Sequence, residues 1–215
     1  MTKWVVSRYN HKLSWLLDYT GNPIVYDRSD DRSSYHIFSS WNILRVENKG
    51  SDIYDKLTWI IDTYDNLPEV AILIKANLFD YIKPKEFDLI KDKTSFTPIL
   101  TQHHKTYSDE YSEVCFYKDG MYYERNDLWY LQAHPVKNND MQRAFDLAGL
   151  LGISNILGTV KYVPFAPGSN YILPKENILK HSKEFYIKLR SYIDWDVYPG
   201  ECQIIERGLY KLWSL

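Results

Sequence analysis

The chain has 215 residues, the length of one large domain, and a chain of this size buries roughly 70% of its extended surface without staples. Hydrophobic residues at 45% and charged residues at 25% are ordinary globular values. The formal net charge of -2 leaves no basic excess to attract a nucleic-acid backbone, so a nucleic-acid binder is disfavoured.

In chain order, Trp4-Val5-Val6 reads as a buried strand ending at Ser7-Arg8-Tyr9-Asn10. Ile24-Val25-Tyr26 follows Pro23 and ends at Asp27, and Ile43-Leu44-Arg45-Val46 is a third run. A helix is predicted after Gly50, with Ser51 as N-cap and Ile53, Leu57, Ile60, Ile61 and Tyr64 on one face. Asn66-Leu67-Pro68 stops it. The most apolar strand, 70–74, then ends at Lys75-Ala76-Asn77-Leu78-Phe79-Asp80. Strands alternating with helices predict an α/β fold with a mostly parallel sheet, whose ligands bind outside the carboxyl ends of the strands. Those ends carry Ser7/Arg8, Asp27/Arg28, Glu47 and Asn77/Asp80.

Further on, Lys118-Asp119-Gly120 between two apolar runs signals a hairpin. A helix over about 140–151 is expected to carry Met141, Ala144, Phe145, Ala148 and Leu151 on one side and to end at Gly152. The segment 163–170 reads as a turn-rich loop before the strand Tyr171-Ile172-Leu173. One helix is predicted from Pro174 to about Trp195, and a last one over about 203–213. The N-terminus lacks a signal-peptide run, and no window approaches the roughly 18 apolar residues of a membrane span, so a cytoplasmic protein without a transmembrane segment is expected. Cys115 and Cys202, far apart and in no CxxC spacing, fit buried thiols in a reducing compartment.

The 19 Tyr and 7 Trp either stack on sugar rings or bases, or fill the core. Asp80, with Asn77 in the same loop, is the candidate ligand for Mn²⁺ or Mg²⁺ on a diphosphate, although N-L-F-D offers one carboxylate where a D-x-D offers two. A solvated or capping Asp is the alternative. Arg8 and Arg28 suit phosphate recognition, and Asp27 suits a ribose or base, unless these are a plain ion pair. The run 122–130, with Asp127, is an acceptor-sugar platform or a partly buried strand, and Glu206 is a candidate acceptor contact or base. His103-His104 on a strand would face opposite ways, and no zinc spacing occurs around them. GxSxG, HExxH, P-loop and GxGxxG motifs are missing.

Several segments taken together resemble a family. They are V-V-S-R-Y-N at 5–10 with L-S-W-L at 13–16, N-K-G-S-D-I-Y-D-K-L-T-W-I-I-D-T-Y-D-N-L-P at 48–68, the loop and strand over 168–174, Phe185-Tyr186 and Glu206-Arg207. In this order they resemble the small GT-A-like glycosyltransferases, in particular the N-terminal glycosyltransferase domain of a chlorovirus protein that builds the capsid glycan. The resemblance implies a GT-A-like (Rossmann-like) fold, a UDP-sugar donor with L-rhamnose the first candidate and glucose an analogue, Mn²⁺, a glycan acceptor, and a module of a longer polypeptide. A single domain over 1–215 is expected, with 1–80 as the nucleotide-binding half and 81–215 as the acceptor-binding half, and a monomer is expected. On this reading Ser7, Arg8, Tyr9, Asp27, Arg28 and Asn77 hold the nucleotide, Asp80 the metal, and Glu206 or Asp127 serves as base if the reaction inverts. Retention without a conventional nucleophile is favoured by the resemblance. A glycan-binding module without catalysis and a nucleotide-sugar or phosphodiester hydrolase are the other readings.

Overall fold

A computed structural model describes residues 2–30, 41–100, 114–154 and 161–214. Strands β1 (Thr2–Arg8), β2 (Ile24–Asp27), β3 (Asn42–Arg45) and β4 (Val70–Lys75) pair in parallel, and helix α1 (Ser51–Thr63) makes the crossover between β3 and β4. Beyond β4 lie β9 (Tyr171–Pro174) and the short β5 (Thr97–Pro98), both joined by antiparallel pairing, which gives the order β3-β2-β1-β4-β9-β5. The chain is therefore mixed α/β, with a mostly parallel six-stranded sheet flanked by helices.

The central strands are apolar on both faces because both faces are covered. Alternate side chains sort cleanly. Val5, Ala71, Leu73 and Tyr171 pack under α1, α5 (Lys183–Ser191) and α6 (Gly200–Ser214), against Leu57, Ile60, Leu189, Ile205 and Trp213. Trp4, Val6, Ile72 and Ile74 enter the opposite layer with Leu16, Leu78 and Phe87, the last from α2 (Pro84–Asp88). Aromatic residues fill both layers: Trp59, Trp213, Tyr171 and Tyr186 are fully buried, and Trp4, Trp15, Tyr19, Phe79 and Phe87 form one ring cluster.

A second, three-stranded antiparallel sheet consists of β6 (Cys115–Lys118), β7 (Met121–Arg125) and β8 (Tyr162–Phe165). The expected hairpin is its first half, turning at Asp119-Gly120 with both residues at positive φ. Helix α3 (Met141–Leu150) is capped by Asp140, whose carboxylate accepts from the amides of Gln142 and Arg143.

Four local expectations are corrected. Ser51 does not cap α1; Gly50 does, at φ 62°, and the Ser51 hydroxyl donates to the Asp52 carboxylate. Gly50 is required there because a Cβ would lie 2.6 Å from the Ile193 carbonyl oxygen. On α3 the buried positions are Ala144, Leu147 and Ala148, while Met141 and Phe145 are exposed. The 163–170 loop begins as β8, whose pairing with β7 no local pattern announces. The helix expected over 174–195 is two, α4 (Lys175–Ile178) and α5, because the Ser182 hydroxyl accepts from the Phe185 amide and restarts the helix. Cys115 and Cys202 are buried free thiols, and among the described residues no helix is long and apolar enough to cross a membrane.

Candidate functional site

From β1 the chain moves through β2 to β3 on one side, then returns by α1 to β4 on the other, so the sheet has its topological switch point between β1 and β4. Neighbouring loops diverge there and leave a crevice. A cavity of about 380 Å³ opens at that point, lined by Ser7 and Arg8 from β1, Arg28 after β2, and Lys75 and Asn77 at the end of β4. Ser51 and Asp52 bring in the first turn of α1, and Tyr9, His11, Asn48, Tyr81, Val197 and Tyr198 complete the walls. Its residues come from both sides of position 80. The loop bearing Val197 and Tyr198 is tied to α1 by the amides of Gly50 and Ser51, which donate to the carbonyls of Asp196 and Val197 at 2.8 and 3.1 Å.

Asp52 is the centre of the electrostatics. The Lys56 ammonium, 1% exposed, donates to Asp52 Oδ2 at 2.6 Å and to the Ser169 carbonyl and hydroxyl at 2.7 Å each. Lys75 Nζ lies 3.1 Å from Asp52 Oδ1 and 5.6 Å from the centre of the Tyr81 ring. Burial pushes the Asp52 carboxyl up, but the two ammonium groups and the hydrogen bonds from Lys56 and Ser169 outweigh it and hold the group well below the usual carboxylate range. Burial likewise works against the Lys75 charge, yet Asp52, Tyr81 and Glu206 hold that ammonium above the usual lysine range. Two lysines share the one aspartate of this contact, Lys75 from the cavity wall and Lys56 from beneath it. Gly168 supports the arrangement: at φ 81° it has no room for a Cβ, which would lie 2.6 Å from the Tyr81 ring.

Arg8 is 3% exposed and donates from Nη1 to both carboxylate oxygens of Asp27 at 3.0 Å. Asp27 is wholly buried and also meets Arg45 at 3.2 Å. Asp27, expected at the nucleotide, thus has no exposed surface and is not among the residues that line the cavity. Its carboxylate holds the Arg8 guanidinium by those two hydrogen bonds. Arg28 forms a bidentate pair with Asp55 at 2.7 and 2.8 Å, while its Nη1 is buried with no hydrogen-bond partner. Tyr9, 46% exposed, and Tyr198, 45% exposed, present rings at the cavity.

The acidic candidates are dispersed. Asp80 is exposed at the end of a 3-10 turn, outside the cavity lining, and accepts from the Asn77 amide at 2.9 Å. Glu206 Oε1 accepts from the Gly168 amide and Oε2 from Arg207, both at 2.7 Å. Asp127 pairs with Arg125 at 2.5 Å and lines a different cavity of about 270 Å³ with Asn126 and Phe145. Glu47 is solvent-exposed beside Lys49. Among the described residues no group of three His, Cys, Asp or Glu side chains is placed to hold a metal. The described donor set near the cavity thus does not fit a protein-held Mn²⁺ or Mg²⁺, since Asp52 and Glu206 are already occupied by cations or amides. His103 and His104 lie outside the described residues. In the 122–130 run, Tyr122, Glu124, Asn126 and Tyr130 are buried while Asp127 and Trp129 are exposed, so this segment is a partly buried strand and its loop, with Trp129 its most exposed ring.

Comparison with family models, with curated proteins and with solved structures finds no match to this chain. The residues that sequence reasoning missed are Asp52, Lys56, Lys75, Asp55, Tyr81 and Tyr198. One signal was present: Asp52 and Lys56 stand four apart on the first turns of a helix, the spacing of an ion pair.

The carboxylates also set a pH response. Asp52 holds its proton more weakly folded than unfolded, so its stabilisation is complete above about pH 4 and is lost as the pH falls below that. Burial pushes Asp55 the other way, up to about 6 despite Arg28. The folded chain takes up that proton first and gains stability as the pH falls from about 6 towards 4. Thermal unfolding across pH is expected to give a Tm that holds or rises slightly from about pH 7 to 5 and drops steeply below about 4. A Tm falling steadily from neutrality would contradict the Asp55 assignment.

Proposed function

We propose that the chain is a GT-A-like glycosyltransferase that moves a sugar from a UDP donor to a hydroxyl of a glycan. The observation carrying this reading is the cavity at the switch point, which Arg8, Arg28, Lys75 and the first turn of α1 line together with the exposed rings of Tyr9 and Tyr198. Cations and a helix N-terminus attract a diphosphate, and aromatic rings at the rim suit a base or a sugar. The Rossmann-like sheet is compatible with that fold, and the segments named from the sequence supply the order of the family. Ser7, Arg8, Tyr9 and Tyr81 therefore stand around the donor, with L-rhamnose the first sugar to test and viral capsid glycan synthesis the setting that the resemblance implies.

In the transfer, the bond from the anomeric carbon to the diphosphate oxygen breaks, the acceptor hydroxyl oxygen forms the new bond, and its proton passes to the leaving diphosphate oxygen. Negative charge grows on the leaving diphosphate, and fixed cations facing it lower the barrier. Asp52 is the one carboxylate among the described cavity residues, and it is locked between two lysines as an ionised group of low basicity. That supports a mechanism resting on positioning and leaving-group stabilisation rather than on a cavity carboxylate acting as base. Calorimetric titration of UDP into the protein is expected to show saturable one-to-one binding, followed by turnover with a UDP-sugar. Absence of UDP binding would remove this reading and bring forward a glycan-binding module, with Trp129 as its exposed ring.

A further inference from the structure

The charge that a diphosphate would meet in this cavity comes from side chains. Lys75 closes β4 with its ammonium at the cavity wall, about one-fifth exposed, and shares Asp52 with the buried Lys56. Among the described side chains that line the cavity, Arg8, Arg28 and Lys75 outnumber the single carboxylate of Asp52. Arg28 lines the same cavity, is 6% exposed, and keeps Nη1 buried without a hydrogen-bond partner after its other nitrogens bind Asp55. A buried guanidinium nitrogen without an acceptor is costly, and a phosphate oxygen would satisfy it. Among the described residues, the carboxylates that a divalent ion would need are elsewhere or engaged: Asp80 stands outside the lining on Asn77, and Asp52 and Glu206 are already paired. A cation placed among lysines would also be repelled by them.

We infer that Lys75, with Arg28 beside it, neutralises the diphosphate of the nucleotide donor in place of a divalent ion, so that donor binding is metal-independent. This rests on the donor-site reading proposed above and departs from the Mn²⁺ dependence that the family resemblance implies. Lys75 holds the position a metal would otherwise take on the leaving group: its ammonium donates hydrogen bonds to phosphate oxygens and stays protonated throughout. When the glycosidic bond breaks, the electron pair goes to the diphosphate oxygen, and the charge it brings is met by the ammonium and the guanidinium. No redox equivalent is needed, and the proton of the acceptor hydroxyl leaves on the diphosphate.

The test is calorimetric titration of UDP into wild type, Lys75→Gln and Lys75→Arg, each in EDTA and in Mn²⁺. Wild type is expected to bind with the same Kd in both media, within about threefold. Lys75→Gln is expected to bind about 10–100-fold more weakly in both, the range of one charge-assisted hydrogen bond, while Lys75→Arg recovers most of the loss. Thermal unfolding of the variants separates lost binding from lost folding, and the wild-type comparison needs no variant at all. Binding of UDP by wild type only when Mn²⁺ is present would overturn the inference and leave the donor site standing. Unchanged UDP affinity in a folded Lys75→Gln would also overturn it. No binding in either medium would overturn the donor-site reading itself.

Discussion

Asp52→Ala is expected to cost about 3–5 kcal/mol of stability, the largest effect of any single change at the cavity. The reason is Lys56. Its ammonium is 1% exposed and has Asp52 Oδ2 at 2.6 Å as its charged partner. Without that carboxylate, a positive charge remains buried with only the Ser169 carbonyl and hydroxyl oxygens, both at 2.7 Å, as its close partners. Desolvation then outweighs what remains, and the lysine is forced towards its neutral form. For a chain of this size the loss corresponds to a Tm drop on the order of 10 °C. Denaturant unfolding of Asp52→Ala, Lys56→Met and the double variant checks the cause. The double variant is expected to be more stable than Asp52→Ala alone, because it removes the stranded charge together with its partner. A loss under about 1 kcal/mol in Asp52→Ala would mean that Lys56 has access to water that this geometry denies it.

Arg207→Ala is expected to cost a similar amount, about 3–5 kcal/mol, in a different layer. Arg207 extends from α6 to Glu124 on β7, a carboxylate with no exposed surface, with nitrogen–oxygen distances of 2.9 to 3.2 Å. Its guanidinium lies 4.5 Å from the Tyr130 ring centre and 4.9 Å from that of Phe165, so truncation removes packing as well as charge. Glu124 would keep the Trp129 indole at 2.8 Å, and the burial that already pushes its carboxyl up would drive it to the protonated form. Arg207→Lys is expected to recover little, since a single ammonium cannot replace the planar fork held between two rings. Urea unfolding monitored by Trp fluorescence measures both variants. Equal stability of Arg207→Lys and wild type would show that charge alone joins α6 to the small sheet.

Much of the fold was legible locally, and the reason differs by element. Val70 to Ile74 is apolar on both faces, which only a strand covered on both sides needs. The α1 face was readable because Ile53, Leu57, Ile60 and Ile61 recur at helical spacing, and the hairpin because Asp119-Gly120 suits a two-residue turn. The break between α4 and α5 was not read, although Ser182 is a good cap, because the apolar pattern runs on across it. β8 was missed because its partner β7 lies far back in the chain, and a short strand containing Pro164 carries no local signal of pairing.

The site divides the same way. By itself the sequence determined the α/β class, the parallel strands and the end of the sheet at which Ser7, Arg8, Arg28 and Asn77 meet, since alternation and strand polarity are local properties that place carboxyl ends together. Only the tertiary structure decided which of the charged groups there face the cavity. Asp27 turned inward under Arg8, Asp80 stayed outside on Asn77, and Asp127 joined another cavity, while Lys75 and Asp52 came to the wall. Ionised side chains settle where partners offset their desolvation, and those partners (Ser169, Asp55, Arg207) come from distant parts of the chain, so their pairing exists only once the layers have closed.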